Sequence, residues 1–190
     1  MLMQLDWGVL HWIQAHLTGG VLDGIMLAIT RVGGLWLWVA AAMALLCTKK
    51  YRRQGVLLLA GILAAATVNA KLLKPLFARP RPCWLEPNVP LLVPSPGDFS
   101  FPSGHTVTAF AGAAVLWGAN RRFGWAVFPA AALTAFSRLY LFVHFPSDVL
   151  GGGVIGTALG LAVFYGGSWA MGRLQKVRHT GSLTRSVGQK

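Results

Sequence analysis

The chain has 190 residues, 55% of them hydrophobic and 12% charged, with mean hydropathy +0.57 and a net charge of +12. That length suits one domain, and the composition is too apolar for an ordinary soluble α-helical protein, so an all-α integral membrane bundle is expected. The positive charge would suit nucleic acid in a soluble protein, but here it lies in short runs flanking apolar segments, which excludes that partner and marks cytoplasmic loops.

The N-terminal "MLMQLDWGVLHWIQAHLTGG" lacks the basic start and small-residue cleavage site of a signal peptide, so it is expected to stay on the protein. Leu5, Val9, Trp12, Ile13 and Leu17 form a helical stripe that Gly19 and Gly20 break before Val21–Thr30 resume it. With Trp7, His11 and His16, residues 1–31 read as interfacial or broken helices, and a sixth, broken span is the alternative. Apolar stretches at 33–47, 55–77, 104–119, 123–144 and 146–171 then predict five spans. The first and third are shorter than the roughly 20 residues that cross a bilayer upright.

A transmembrane bundle of five to six helices is thus expected over 32–172, with a basic cytoplasmic tail over 173–190 whose last ten residues lack an ordering pattern. Lys49, Lys50, Arg52 and Arg53, then Arg121 and Arg122, then Arg173, Lys176, Arg178, Arg185 and Lys190 fall on one face of a five-span weave, the cytoplasmic one. On the other face lies segment 78–102, which holds seven of the ten prolines; it is expected to be an ordered extracytoplasmic loop without helix. Cys47 and Cys83 fall on opposite sides, which argues against a disulfide. Gly152, Gly156 and Gly160, four apart, form a small-residue face for close helix packing. Asn69 is expected to be hydrogen-bond glue between helices and the eight tryptophans an interfacial belt, while Arg31, Lys71 and Arg79 suit headgroups and substrate equally and are left out of the site. Glu86 and Asp98, twelve apart, are expected to be solvated loop residues rather than a metal site.

The outer face also collects chemistry. Lys74, Arg79 and Arg81 follow the second span, "FPSGH" opens the third, and Ser137, Arg138, His144 and Asp148 surround the turn into the fifth. Three cations, a Ser-Gly helix start and two histidines at one depth call for an anion. Lys74, Arg81 and Arg138 suit phosphoryl oxygens, and the free amides after Pro102, Ser103 and Gly104 can bind the same group. Pro146 suits a first helical position, which puts Asp148 in the first turn and His144 just before it. Asp148 can then accept from one imidazole nitrogen of His144 and leave the other free to attack phosphorus, while His105 protonates the departing oxygen.

These residues resemble the type 2 phosphatidic acid phosphatase family, relatives of the vanadium-dependent haloperoxidases. Its signature is K-x6-R-P, P-S-G-H and S-R-x5-H-x3-D, matched by Lys74, Arg81 and Pro82, by Pro102 to His105, and by Ser137, Arg138, His144 and Asp148, with no position departing. The resemblance covers about residues 20 to 172 and implies a metal-independent phosphatase without cofactor, acting through a phosphohistidine. In that analogy His144 is the nucleophile, Asp148 its orienting partner and His105 the acid, while Lys74, Arg81, Ser103, Gly104 and Arg138 hold the phosphate. The implied partner is a membrane lipid phosphate: undecaprenyl pyrophosphate is favoured, with phosphatidylglycerophosphate or phosphatidic acid as further family substrates. The implied setting is a bacterial inner membrane with the site facing the periplasm or cell exterior. A lipid phosphotransferase and a non-catalytic phospholipid binder or transporter are the alternatives. No motif specifies an oligomeric state.

Overall fold

The computed structural model describes residues 2–187, with side chains described as far as Arg173, and no strand occurs among the described residues. Helix α1 (Leu2–His16) and helix α2 (Gly20–Val32) are separated at Gly19 and Gly20, both with positive φ, so the predicted glycine break is real. Helix α3 (Leu35–Cys47) follows a 50° bend at Gly33–Gly34. A 3₁₀ turn (Lys49–Tyr51) over the basic loop leads to α4 (Arg52–Val68), a π turn (Asn69–Leu73) and α5 (Lys74–Phe77). One-turn helix α6 (Pro82–Leu85), central helix α7 (Gly104–Ala119), α8 (Arg121–Tyr140) and long α9 (Pro146–Val187) complete the fold.

By length and composition two described segments could cross a membrane, Lys49–Leu85 and Pro146–Arg173, or three if the bent α2–α3 pair is one span. The five to six expected spans exceed that count for a packing reason. Helix α7 has only 16 residues, yet Val107, Ala109, Ala111, Ala113, Ala114 and Val115 are fully buried among α3, α4, α8 and α9. A helix wrapped by protein needs neither the length nor the continuous apolarity of one facing lipid.

The predicted glycine face on α9 is what lets α7 sit so deep. A β-carbon on Gly156 would come within 2.4 Å of the Val107 carbonyl oxygen, and one on Gly160 within 2.4 Å of that of Ala111. Only glycine permits that approach, so the two backbones touch directly.

Several expectations change. Segment 78–102 was expected to hold no helix, but Pro82 occupies a first helical position and starts the single turn α6. The tail was expected to lose order after residue 180, yet α9 continues to Val187; residues 188–190 lie outside the described residues, as do the side chains of Lys176, Arg178 and Arg185. Helix α1 buries Asp6, Leu10 and Ile13, whereas Leu5, Val9 and Trp12 of the predicted stripe face outward. That buried face packs on the turn 139–145, so α1 supports the site rather than lying apart. Trp36, Trp125 and Trp169 are exposed as a belt would be, but Trp38 is buried and stacks over Gly112. Both cysteines are free.

Candidate active site

Four chain segments deliver the site. The π turn swings α5 so that Lys74 faces inward, and Ala78, in the left-handed region at φ 43°, ends α5 and sends the chain into extended Arg81. Ser103 is the N-cap of α7, with Gly104 and His105 next. The last turn of α8 carries Ser137 and Arg138. After it, Phe142 at φ 57° reverses the chain, His144 follows, and Pro146 opens α9 with Asp148 in its first turn. A bulky residue in the left-handed region costs on the order of 1 kcal/mol. Burial of Tyr140, Leu141, Phe142, Val143 and Phe145 in one cluster with Leu10 and Ile13 offsets it, and His144 is thereby held rigidly.

Of the basic side chains, Lys74 and Arg81 meet at the Asp98 carboxylate. Lys74, Arg81 and Arg138 are 6%, 2% and 6% exposed. Arg81 Nη1 donates to the Val143 carbonyl at 2.7 Å and to His144 Nε2 at 3.0 Å. A guanidinium only donates, so Nε2 carries the lone pair and the proton sits on Nδ1. Arg81 and Arg138 lie within electrostatic range of both His105 and His144. Ser103 Oγ, at the start of α7, and Arg138 Nε, on α8, are buried without a hydrogen-bond partner among the described residues, while Arg138 Nη1 donates to Thr30 Oγ1 of α2.

The His144–Asp148 arrangement differs in detail from the direct hydrogen bond expected. Nδ1 lies 3.5 Å from Asp148 Oδ2, and Ser100 bridges the gap: Nδ1 lies 3.4 Å from Ser100 Oγ, which donates to Oδ2. Asp148 Oδ2 also accepts from the Phe145 amide at 2.8 Å, and Oδ1 accepts from Arg79 Nη1 at 2.6 Å.

Three residues were missed or misread. Arg79, left out of the site with headgroup and substrate contact both open, turns inward to bind Asp148, Ser147 Oγ at 2.6 Å and Asp6 Oδ2 at 2.7 Å, with its guanidinium 4.2 Å from the Phe145 ring centre. Asp98, expected to be solvated, bridges Lys74 Nζ and Arg81 Nη2, each at 2.6 Å. Its partial burial would raise the carboxyl, but hydrogen bonds from Lys74 and Arg81, with their charges, bring it down to about 2. Ser100 had no sequence signal beyond its place next to "FPSGH". Glu86 pairs with His11 at 3.0 Å and ties the proline-rich loop to α1. Ser137, a motif residue, donates its hydroxyl to the Thr134 carbonyl within its own helix. Among the described residues no group of three His, Cys, Asp or Glu side chains could hold a metal ion.

A cavity of about 220 Å³ opens beside the site, lined by the polar Asn69, Lys74, Asp98, His105 and Thr108 together with Gly104 and the apolar Leu35, Ala66 and Ala70. The backbone of Gly34, at the α2–α3 bend, closes the His105 side: a β-carbon there would lie 3.6 Å from His105 Nε2. An apolar groove of about 780 Å³ runs between α7, α8 and α9 from Leu139 and Val149, next to the His144 turn, to Leu161.

This arrangement of charge and imidazole can bind a phosphoryl group, present a neutral nitrogen to it and stabilise the charge that develops. The PAP2 superfamily model matches residues 54–171. An undecaprenyl-diphosphatase of Sulfolobus acidocaldarius is 31% identical over 137 residues, 72% of this chain and 66% of that protein. Undecaprenyl-diphosphatase BcrC of Bacillus subtilis is 34% identical over 160 residues, 82% of this chain and 79% of that protein. The crystal structure of Aquifex aeolicus LpxE superposes with a TM-score of 0.73 at 29% identity, covering 85% of this chain and 95% of that one. Sequence, motif spacing and three-dimensional arrangement therefore agree that the chain belongs to the PAP2 superfamily.

Proposed function

We propose that the chain is an integral membrane lipid phosphatase that cleaves undecaprenyl pyrophosphate through a phosphohistidine on His144. The observation that carries this reading is the polarity of the His144 ring: Arg81 donates to Nε2, so the lone pair on that nitrogen faces the phosphate-binding cations. On substrate binding Arg81 Nη1 exchanges its hydrogen bond to Nε2 for one to a phosphoryl oxygen; the freed Nε2 lone pair attacks phosphorus, the Nδ1 proton is held through Ser100 and Asp148, and His105 supplies a proton to the departing oxygen. Lys74, Arg81, Arg138, Ser103 and the amide of Gly104 hold the equatorial oxygens. Water then attacks the phosphohistidine with His105 acting as base.

Both diphosphatase relatives act on undecaprenyl diphosphate by name, which supports that substrate over a phosphatidyl lipid. The apolar groove beside Leu139 and Val149 offers a place for a long tail while the headgroup reaches the site. In this reading residues 32–172 form a five-span catalytic bundle, α1 and α2 lie at the interface and brace the site, and 173–190 form a cytoplasmic tail. The site opens on the periplasmic side of an inner membrane.

The test is phosphate release by protein purified in detergent, against undecaprenyl pyrophosphate, phosphatidylglycerophosphate, phosphatidic acid and a soluble phosphate ester. The pyrophosphate is expected to be the best substrate, activity to survive chelator, and the pH profile to be bell-shaped because one histidine must be neutral and the other protonated. His144→Ala should lower turnover by at least about a thousandfold with normal expression, and labelled phosphate should appear transiently on the parent alone. Full turnover by His144→Ala would sink the mechanism; phosphate appearing on an added lipid acceptor instead of in water would make the enzyme a transferase.

A further inference from the structure

Asn69 is a buried polar side chain beside the site that the phosphatase mechanism leaves unused. It was expected to bond a neighbouring helix; the residue is 3% exposed, and its carbonyl Oδ1 is buried without a hydrogen-bond partner among the described residues. An unsatisfied buried amide is costly and rare enough to require a reason. Two further observations supply one. Asn69 opens the π turn, the local widening of the helix that swings Lys74 into the site, and such turns gather at functional positions. The amide also lines the cavity shared with Lys74, Gly104 and His105; a β-carbon on Gly104 would lie 3.3 Å from Asn69 Nδ2, so the side chain rests against the helix start that binds phosphate.

We infer that Asn69 recognises the second phosphate of a diphosphate substrate, the one that departs with the lipid. This rests on the proposed reaction at His144 and His105. There, the Nε2 lone pair of His144 forms a bond to the terminal phosphorus, and the bridging P–O bond breaks with its electron pair passing to the bridging oxygen. That oxygen takes the proton of the His105 imidazolium, so the departing lipid monophosphate carries a P–OH beside P–O⁻ oxygens. A side chain with one acceptor and one donor matches that group: Oδ1 accepts from P–OH and Nδ2 donates to P–O⁻. A cation would hold the product too firmly, and a carboxylate would repel it. The cavity's other polar groups are otherwise engaged or fit the same assignment. Asp98 is turned to Lys74 and Arg81, and the Thr108 hydroxyl donates to the Gly104 carbonyl at 2.9 Å. His105 faces the leaving oxygen, and the apolar lining at Leu35 and Ala66 suits the first carbons of the lipid. A lipid monophosphate puts an alkoxy oxygen and carbon at this position and has nothing for the amide to bind.

The assignment makes Asn69 a determinant of diphosphate over monophosphate. Asn69→Ala should lower kcat/KM for undecaprenyl pyrophosphate by about 10- to 100-fold, the worth of hydrogen bonds to a charged group, and change kcat/KM for phosphatidic acid by less than about threefold. The nearly isosteric Asn69→Asp guards against misfolding of the alanine variant and should discriminate against the diphosphate still more strongly. Independently of turnover, thermal shifts of the parent with inorganic pyrophosphate and orthophosphate should show tighter pyrophosphate binding, and Asn69→Asp should abolish the difference. Equal losses on both lipids, or an unchanged pyrophosphate preference in Asn69→Asp, would overturn the assignment. A parent that hydrolyses no lipid would instead defeat the phosphatase reading, and the binding comparison would still decide what Asn69 contacts.

Discussion

At the scale of residues, the cations, the Ser-Gly helix start and the two histidines could be named as a candidate anion site from their types and order, and the full motif set from its resemblance to the family pattern K-x6-R-P, P-S-G-H, S-R-x5-H-x3-D, because a phosphate site needs fixed donors. The residues that position them could not. Asp6 lies 73 positions from Arg79, and Ser100 lies 48 from Asp148, so no local pattern links them. Asp98 shows how this second layer can be tested. Its folded pKa of about 2 is below the ordinary 3.8, so the folded state binds its proton more weakly than the unfolded state does. The stabilisation is therefore complete above pH 3.8 and lost as pH falls through about 2. Melting temperatures of the parent and Asp98→Asn in detergent should differ by a constant amount from pH 8 down to about 4 and converge toward pH 2. The difference should be modest, because the carboxylate is 59% exposed and solvent screens it. A gap that widens on acidification would contradict the ion-pair assignment.

At the scale of elements, every predicted apolar stretch became a helix, since hydrophobic length and turn residues act locally. What the stretches did not reveal was which helix is central. Helix α7 is one of the shortest apolar stretches and yet the most enclosed, because Gly156 and Gly160 on α9 let it approach to backbone contact. Gly156→Leu forces a side chain into the Val107 carbonyl and should destabilise the fold by about 1–3 kcal/mol or more, seen as a lower melting temperature with loss of activity. Gly166→Ala, on the same helix where a β-carbon meets nothing within 4 Å, should leave the melting temperature unchanged or slightly raised. Equal behaviour of the two variants would remove the close-packing argument.

At the scale of the whole molecule, the asymmetry of charge predicts orientation. The basic loop Lys49–Arg53 should face the cytoplasm and the proline-rich loop the opposite side. In intact spheroplasts of cells expressing a Cys47→Ser background, a membrane-impermeant maleimide should label a cysteine placed at exposed Gly97 and spare one placed at Lys50. Labelling with the opposite preference would invert the topology and put the site on the cytoplasmic face. Helices α1 and α2 gain significance at this scale as well. The Asp6–Arg79 and His11–Glu86 pairs tie the N-terminal region to the loop that carries Arg81.

The sequence by itself determined the apolar, helical class of the chain, its long helical stretches and the list of candidate site side chains, because each depends on composition or on spacing within a few turns. Tertiary structure decided the rest: which helix lies at the centre, that Ser100 stands between His144 and Asp148, that Arg79 points inward, that Asp98 clamps Lys74 to Arg81, and that Asn69 lines a cavity beside the start of α7. All of these depend on groups far apart in the chain meeting in a low-dielectric interior, where a buried charge or amide must find a partner and only the packed fold determines which one it finds.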